Sequence, residues 1–382
     1  MKKYSKRDLF NLANGCCFFA SGGGGSLSSG LNLVQNFPED GEVVVVTKEE
    51  AVSDTESYSL VIAYIGAPDA IEDLVHPTAA INAYNLMNEF VDGKIKYLVP
   101  VEQGALSTIV ACVAAQQLNI KVIDGDGAGR AVPELPMLTF ADKVPMGVSN
   151  KSKEGSILPS AILASKDFQK VEVLVKTPTQ VEDIARPFIS SGIQGFDQAA
   201  GLAIWLMDSV LLDKALSITG TVSLSLELGT LLDAGVVADP YQQVVDFLTA
   251  NNLSSSLLFT GTMTKPTEKT QGGFDMDEIV IKNAETNVEM HIYAQNESLI
   301  AWQSDQAHPT IIAPDSICYL TAEGRPFSNA DIKNDIINSE VGVIAIKARE
   351  QLTNDKGVMA SFGKALTDTG YPGLYQSWNK LT

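Results

Sequence analysis

The chain has 382 residues, 45% of them apolar, and carries 27 Lys and Arg against 46 Asp and Glu, a formal net charge of −19. This length suits about two domains of ~150 residues each, with enough apolar content for packed cores. The acidity argues against a nucleic-acid surface, which needs clustered Lys and Arg to displace counterions; four cysteines without CxxC spacing give neither a disulfide framework nor a zinc site.

The start MKKYSKRDLF is basic, but the apolar stretch after it is broken by Asn11 and Asn14 and runs into Gly22–Gly25. It does not read as a signal peptide. Ser5 followed by Asp8 predicts a capped helix ending near Gly15 or Ala20. Apolar or β-branched stretches at Val43–Val46, Leu60–Ile65, Ile95–Pro100 and Ile120–Ile123 predict buried strands, with helices at Pro77–Phe90 and Leu106–Leu118 between the later ones. That alternation implies an α/β N-terminal domain with a mainly parallel sheet. A polar segment from Ser149 to Ser156 places a boundary near residue 165, giving domains 1–165 and 166–382.

In the second half, Val171–Val175 reads as a strand, and Thr179–Ser190 and Ala199–Ala234 as mostly helical with interruptions at Gly195 and Gly220. The apolar segment Ala199–Leu212 contains Asp208 and is shorter than the ~18 residues of a spanning helix. No membrane association, a cytoplasmic location and a homo-oligomer are the expectations, the last because Ala199–Leu212 suits either domain core or an interface. From Leu257 onward, short stretches separated by turn residues predict an antiparallel, β-barrel-like sheet, making this an α+β C-terminal domain.

Ligands of open parallel sheets bind beyond the carboxyl ends of the strands. Those positions here hold Gly66-Ala67-Pro68-Asp69, then Glu102-Gln103-Gly104, then the segment Asp124-Gly125-Asp126-Gly127-Ala128-Gly129-Arg130. Gly22, Gly23, Gly24 and Gly25 lack the Lys-Ser or Lys-Thr of a P-loop. The run reads either as an anion-binding nest of backbone amides or as a surface linker. Arg130 reads as a fork for a substrate carboxylate or imide oxygen, with Asp124, Asp126 and Glu134 as proton carriers or loop partners. The alternatives are an internal ion-pair network and an oxygen-ligand divalent metal site, although DGDG lacks the remaining positions of an EF-hand loop. Glu102 reads as a general base or as a helix-capping surface residue. Cys16 and Cys17 suit buried hydrophobes better than nucleophiles, and His76-Pro77 suits a helix entry. No HExxH or G-x-S-x-G pattern occurs.

SGGGGSLSSG, VPVEQGALS and above all VIDGDGAGRAVPELPM resemble the motifs of the S-methyl thiohydantoin desulfurase family, and GTVSLSLELG, QGGFDMDEIVI, NESLIAW and APDSICYL resemble its second domain. The likeness departs where Ala105 and Leu106 follow Gly104 instead of a second glycine and an Asn, and where Ala20-Ser21 precedes the glycine run in place of Gly-Thr. The resemblance implies an α/β domain followed by a β-barrel-like one. It also implies a hydrolase of a hydantoin-like ring, with hydantoinase or oxoprolinase-like proteins as partners, or alternatively a non-catalytic accessory subunit of such a system. The reading makes Glu102, Asp124, Asp126 and Arg130 catalytic, with Gly22–Gly25, Gly66, Gly104 and Glu134 binding substrate. No cofactor is expected, and a divalent metal is left open.

Overall fold

The computed structural model describes residues 1–66, 74–151, 155–191, 193, 195–196, 199–235, 238–271, 274–333 and 336–381. Ala67, Pro68 and Asp69 of the loop singled out above, and the Gly272-Gly273 turn, lie outside these.

The first sheet takes β1 (Lys2–Tyr4), β2 (Val43–Val46), β3 (Tyr58–Gly66), β4 (Ile95–Pro100) and β5 (Lys121–Ile123) from the first 123 residues. Strands β2, β5, β4 and β3 pair in parallel. The sheet then continues antiparallel from β3 through β9 (Ala199–Met207) and β7 (Ala161–Ala164) to β8 (Lys170–Val173). The parallel part sits where the alternation of strands and helices put it. The whole sheet is mixed.

The strand residues alternate between two cores, as strand geometry demands. Leu60 and Ile62 face α1 (Lys6–Phe19), α2 (Leu27–Gln35), α4 (Thr78–Glu89) and α5 (Ala105–Leu118). Val61, Ala63 and Ile65 face the other way, toward α6 (Pro178–Ser190), α7 (Ser209–Ala215) and α11 (Lys356–Asp368). The short helices α3 (Lys48–Val52) and α10 (Glu350–Thr353) add Ala51 and Leu352 to that second face.

Ala199–Met207 is a strand, not the helix expected from its apolar run. It lies between β3 and β7 and is covered on both faces, so almost every residue is buried and the alternation that marks a half-exposed strand is missing. Helical structure resumes at α7, where Asp208 caps the first turn by accepting the Leu211 amide at 2.9 Å. The helix α8 (Thr221–Asp233) crosses α1 at close range: a Cβ at Gly15 would lie 1.8 Å from the Ser225 carbonyl oxygen, and one at Gly229 1.7 Å from that of Asn11. Gly15 is therefore inside α1, and Ala20 is its C-cap.

The second sheet is antiparallel throughout. Its members are β11 (Ser255–Met263), β12 (Thr267–Gln271), β13 (Phe274–Lys282), β14 (Glu289–Gln295), β15 (Glu297–Gln303), β16 (Ile311–Ile312), β17 (Ser316–Thr321) and β18 (Glu340–Ile346). The order runs β16-β15-β14-β13-β11-β18-β17 with β12 on β13, and the ladder does not close into a barrel. A two-stranded pairing of β6 (Gly125–Asp126) with β10 (Ile218–Thr219) ties the aspartate-rich loop to the start of α8. Phe18 and Phe19, at the end of α1, pack with Cys318, Leu320 and Ile344 of the second sheet and with α9 (Pro240–Ala250). The glycine run that follows α1 is thereby delivered to the junction of the two sheets.

Candidate functional site

At this junction lies a cavity of about 270 Å³. Its walls come from the glycine run, the ends of β3 and β4, the start of α5, residues 132–135, α6, the β12–β13 hairpin, the β14–β15 turn and residues 328–333.

The glycine run is buried and tightly packed rather than a surface linker. Gly22, Gly24 and Gly25 have φ of +83, +67 and +82°, a region that favours glycine. Added Cβ atoms would meet Asn329 Oδ1 at 2.4 Å from Gly22, Glu297 Oε1 at 2.0 Å from Gly23, Gly104 Cα at 2.5 Å from Gly24 and Leu106 Cβ at 2.4 Å from Gly25. The run is stitched to the second sheet by the Ser298 amide donating to the Ser21 carbonyl at 2.9 Å and the Asn329 amide donating to the Gly22 carbonyl at 2.7 Å. Two of its amides, expected to face an anion, are engaged within the protein. The Gly23 amide donates to the Ala20 carbonyl at 3.1 Å, and the Gly24 amide donates to Glu297 Oε1 at 3.2 Å.

Two buried glutamates line the cavity together, Glu102 at 9% exposure and Glu297 at 4%. Glu102 follows β4. Its Oε2 accepts the Val132 amide at 2.9 Å, and its Oε1 accepts the Ser107 hydroxyl at 3.0 Å. Glu297 opens β15, directly after Asn296 in a left-handed conformation (φ +58°). Its Oε2 is buried and has no hydrogen-bond partner among the described residues. Burial raises both carboxyls. Glu297 is pushed up to about 7, with the Gly24 amide and Arg130 opposing the rise. Glu102 is pushed well above the usual range by burial and then by the charge of Glu297. Each carboxyl therefore opposes the ionisation of the other. The hydrogen bonds distinguish the two: Glu102 accepts at both oxygens, whereas Oε2 of Glu297 is bare.

The cavity is acidic. Glu134, Glu182, Glu268, Asp275 and Asp277 join the pair, against Arg186 and Lys333. Asp277 is raised to about 6 by burial and then by the charges of Glu268 and Asp275. Arg186 is committed to its surroundings. It pairs with Glu182, donates to the Pro133 carbonyl at 3.0 Å and stacks over Phe274 at 3.9 Å. Glu182 in turn accepts the Leu135 amide at 2.9 Å, fixing the loop that carries Glu134.

Of the residues picked out from sequence, Gly22–Gly25, Gly66, Glu102 and Glu134 line this cavity. Gly104 does not; it supports the wall by packing against Gly24. Asp124 accepts the amide and hydroxyl of Ser223 and so anchors the start of α8. Asp126 is fully buried, its Oδ1 accepting the amides of Ala128 and Gly129 at 2.7 and 2.6 Å. Arg130, expected to fork onto substrate, is 1% exposed and spends its guanidinium on main-chain carbonyls. It donates to Ala131 at 2.8 Å, Pro314 at 3.2 Å, Asp315 at 2.9 Å and Ser298 at 3.0 Å. It thus ties the DGDGAGR loop to the second sheet, its positive charge behind Glu297. No ion pair of Arg130 with Glu134 or Asp126, its alternative role, is found among the described residues, where its partners are carbonyls.

Cys16 and Cys17 are buried with thiols raised by burial, and His76 is exposed ahead of α4. None of these three is in the cavity wall. Among the described residues no group of three or more His, Cys, Asp or Glu side chains is arranged to hold a metal ion. No helix among them is long and apolar enough to cross a membrane. The site residues missed from sequence include Glu297, Glu182, Arg186, Ser107, Glu268 and the Asp275–Asp277 pair. The signal for Glu297 is a carboxylate at the head of the apolar SLIAW stretch.

Family models describe the same two-part chain. The S-Me-THD-like N-terminal domain matches residues 7–167, and the S-Me-THD-like C-terminal domain matches residues 176–366. The chain belongs to the S-methyl thiohydantoin desulfurase-like family. A solved crystal structure of a protein from Chromobacterium violaceum, a structural-genomics target, is similar to this S-Me-THD-like chain. The two share 33% identity at a TM-score of 0.85, over 99% of this chain and 100% of the other. No curated protein matches.

Proposed function

We propose that this protein is a hydrolase of a small hydantoin-like ring, acting on S-methyl thiohydantoin to release methanethiol and hydantoin. The observation that carries the reading is the Glu102–Glu297 pair, two buried carboxyls lining one cavity, one with both oxygens hydrogen-bonded and one with a bare oxygen. Glu102 is the base and Glu297 the acid. As an oxygen nucleophile attacks the ring carbon that bears sulfur, Glu102 takes its proton and Glu297 Oε2 protonates the ring nitrogen. Collapse of the tetrahedral adduct breaks the carbon–sulfur bond, the proton held by Glu102 goes to the departing sulfur, and the adduct returns a proton to Glu297. Acid–base assistance of this kind contributes ~10²–10⁴-fold.

The size of the cavity suits a hydantoin-like ring, and its charge supports thiol release over ring opening. At about 270 Å³ it falls below the ~300–1,000 Å³ of drug-sized sites and suits one small ring. Ring opening would create a carboxylate among Glu134, Glu182, Asp275 and Asp277, where like charges oppose it, whereas methanethiol and hydantoin are neutral.

The test is incubation of the purified chain with S-methyl thiohydantoin, following free thiol and ring opening separately. Thiol release without ring opening is the expected result. Ligand-induced thermal stabilisation with no thiol would replace this reading with that of an accessory subunit of a hydantoinase or oxoprolinase-like partner.

A further inference from the structure

Among the described residues, three that carry a hydroxyl line the cavity: Tyr64, Ser107 and Ser328. That of Ser328 is committed to Asp331 Oδ2 at 2.7 Å, closing the cap of a short helical turn. Burial pushes that of Tyr64 up to about 12, opposed by hydrogen bonds to Ala79 and Ala80. Ser107 differs from both. It is half-buried, sits in the first turn of α5, and donates to Glu102 Oε1 at 3.0 Å, with the Gly24 carbonyl a longer second acceptor at 3.4 Å. The other oxygen of Glu102 is fixed by the Val132 amide at 2.9 Å. Hydroxyl, carboxylate and orienting donor in sequence are the arrangement by which a serine is activated. The Ser107 amide donates to the Gly24 carbonyl at 3.2 Å, which fixes the backbone below the hydroxyl, and the 14-residue helix α5 points its positive end toward the oxygen. The unpartnered Oε2 of Glu297 supplies an acid at the same cavity.

We propose that Ser107 is the nucleophile of this site, attacking the sulfur-bearing ring carbon to form a serine-bound ring that water then releases. The inference rests on the hydrolase reading above and names the oxygen that makes the first attack. The Ser107 proton goes to Glu102 as Oγ bonds to the ring carbon, and the carbon–nitrogen π pair moves to nitrogen, which takes the Glu297 proton. Collapse re-forms the carbon–nitrogen double bond and returns that proton to Glu297. The carbon–sulfur bond breaks, and the sulfur leaves as methanethiol with the proton from Glu102. The serine is left joined to the ring as an O-alkyl isourea. Water repeats the sequence, giving one proton to Glu102 while Glu297 again protonates the ring nitrogen. When the carbon–Oγ bond breaks, Ser107 recovers its proton from Glu102 and the new hydroxyl returns one to Glu297, leaving hydantoin. The sum is substrate plus water giving hydantoin plus methanethiol.

Ser107→Ala removes Oγ while leaving the backbone of α5 in place. Its expected thiol release is at least ~10²-fold below that of the native chain, with an unchanged melting temperature and retained thermal stabilisation by hydantoin. A Ser107→Ala chain that releases thiol within about threefold of the native rate overturns the proposal while the Glu102–Glu297 reading stands. A second measurement uses the native chain with added methanol and compares S-methyl with S-ethyl thiohydantoin. One serine-bound ring common to both predicts the same ratio of O-methyl product to hydantoin from either substrate. Ratios that differ between the two overturn it. Absence of thiol release from the native chain removes the hydrolase reading and this inference with it.

Discussion

The amide of Gly24 donates to Glu297 Oε1 at 3.2 Å, so the first domain's glycine run holds a carboxylate delivered by the second domain's sheet. The site exists only where the two sheets meet, and both sides of this contact are tightly constrained.

Gly23 and Gly24 separate the two constraints. A Cβ on residue 23 would sit 2.0 Å from Glu297 Oε1, and one on residue 24 would meet the Gly104 Cα at 2.5 Å from a backbone with φ +67°. Gly23→Ala is expected to displace the carboxylate and lower turnover on the order of 10²-fold with a modest change in melting temperature. Gly24→Ala is expected to cost about 2–5 kcal/mol of stability, the sum of left-handed strain and overpacking, read by urea unfolding.

Arg130 predicts a stability effect in place of a binding effect. Its four carbonyl partners come from three chain segments, at Ala131, Ser298 and Pro314-Asp315. Arg130→Ala leaves buried acceptors unpaired and is expected to lower unfolding free energy by at least about 3 kcal/mol. Arg130→Lys recovers part of this at most, since an ammonium cannot span the same fork. A native-like urea midpoint for Arg130→Ala would show that the guanidinium is not the tie described here.

Glu297 makes stability depend on pH with a defined sign. Its carboxyl is raised from 4.5 to about 7 on folding, so the folded chain binds the proton more tightly than the unfolded one. The associated stability is fully present below the unfolded value and is lost as pH rises through about 7. Glu297→Gln has no such charge. Its melting temperature relative to the native chain is therefore expected to climb between about pH 5 and pH 8, and a difference flat across that window would contradict the buried, protonated state. Turnover should also fall as pH rises through about 7, where Glu297 loses the proton it donates.

The sequence exposed the elements whose pattern is local. The strands β2 to β5 are short apolar runs separated by helix-length segments, and Ser5 and Asp8 form the capping box their spacing implied. β9 was read as helix because a strand covered on both faces loses its alternation. The site was half legible for a different reason. Glu102 and the glycine run follow α/β logic, but Glu297 reaches Gly24 from 273 residues away along the chain, a contact no local spacing encodes. Arg130 misled because glycine neighbours suggest an open loop, whereas here they allow the chain to turn around a buried guanidinium. Gly129, at φ +69°, packs beside Arg349.

The most direct test of the account is the rate of methanethiol release from S-methyl thiohydantoin by the native chain, by Glu102→Gln and by Glu297→Gln, each checked for native melting behaviour. The account predicts thiol and hydantoin in equal amounts from the native chain and a loss of at least ~10²-fold in either variant. Undiminished release from a folded Glu297→Gln chain would contradict it.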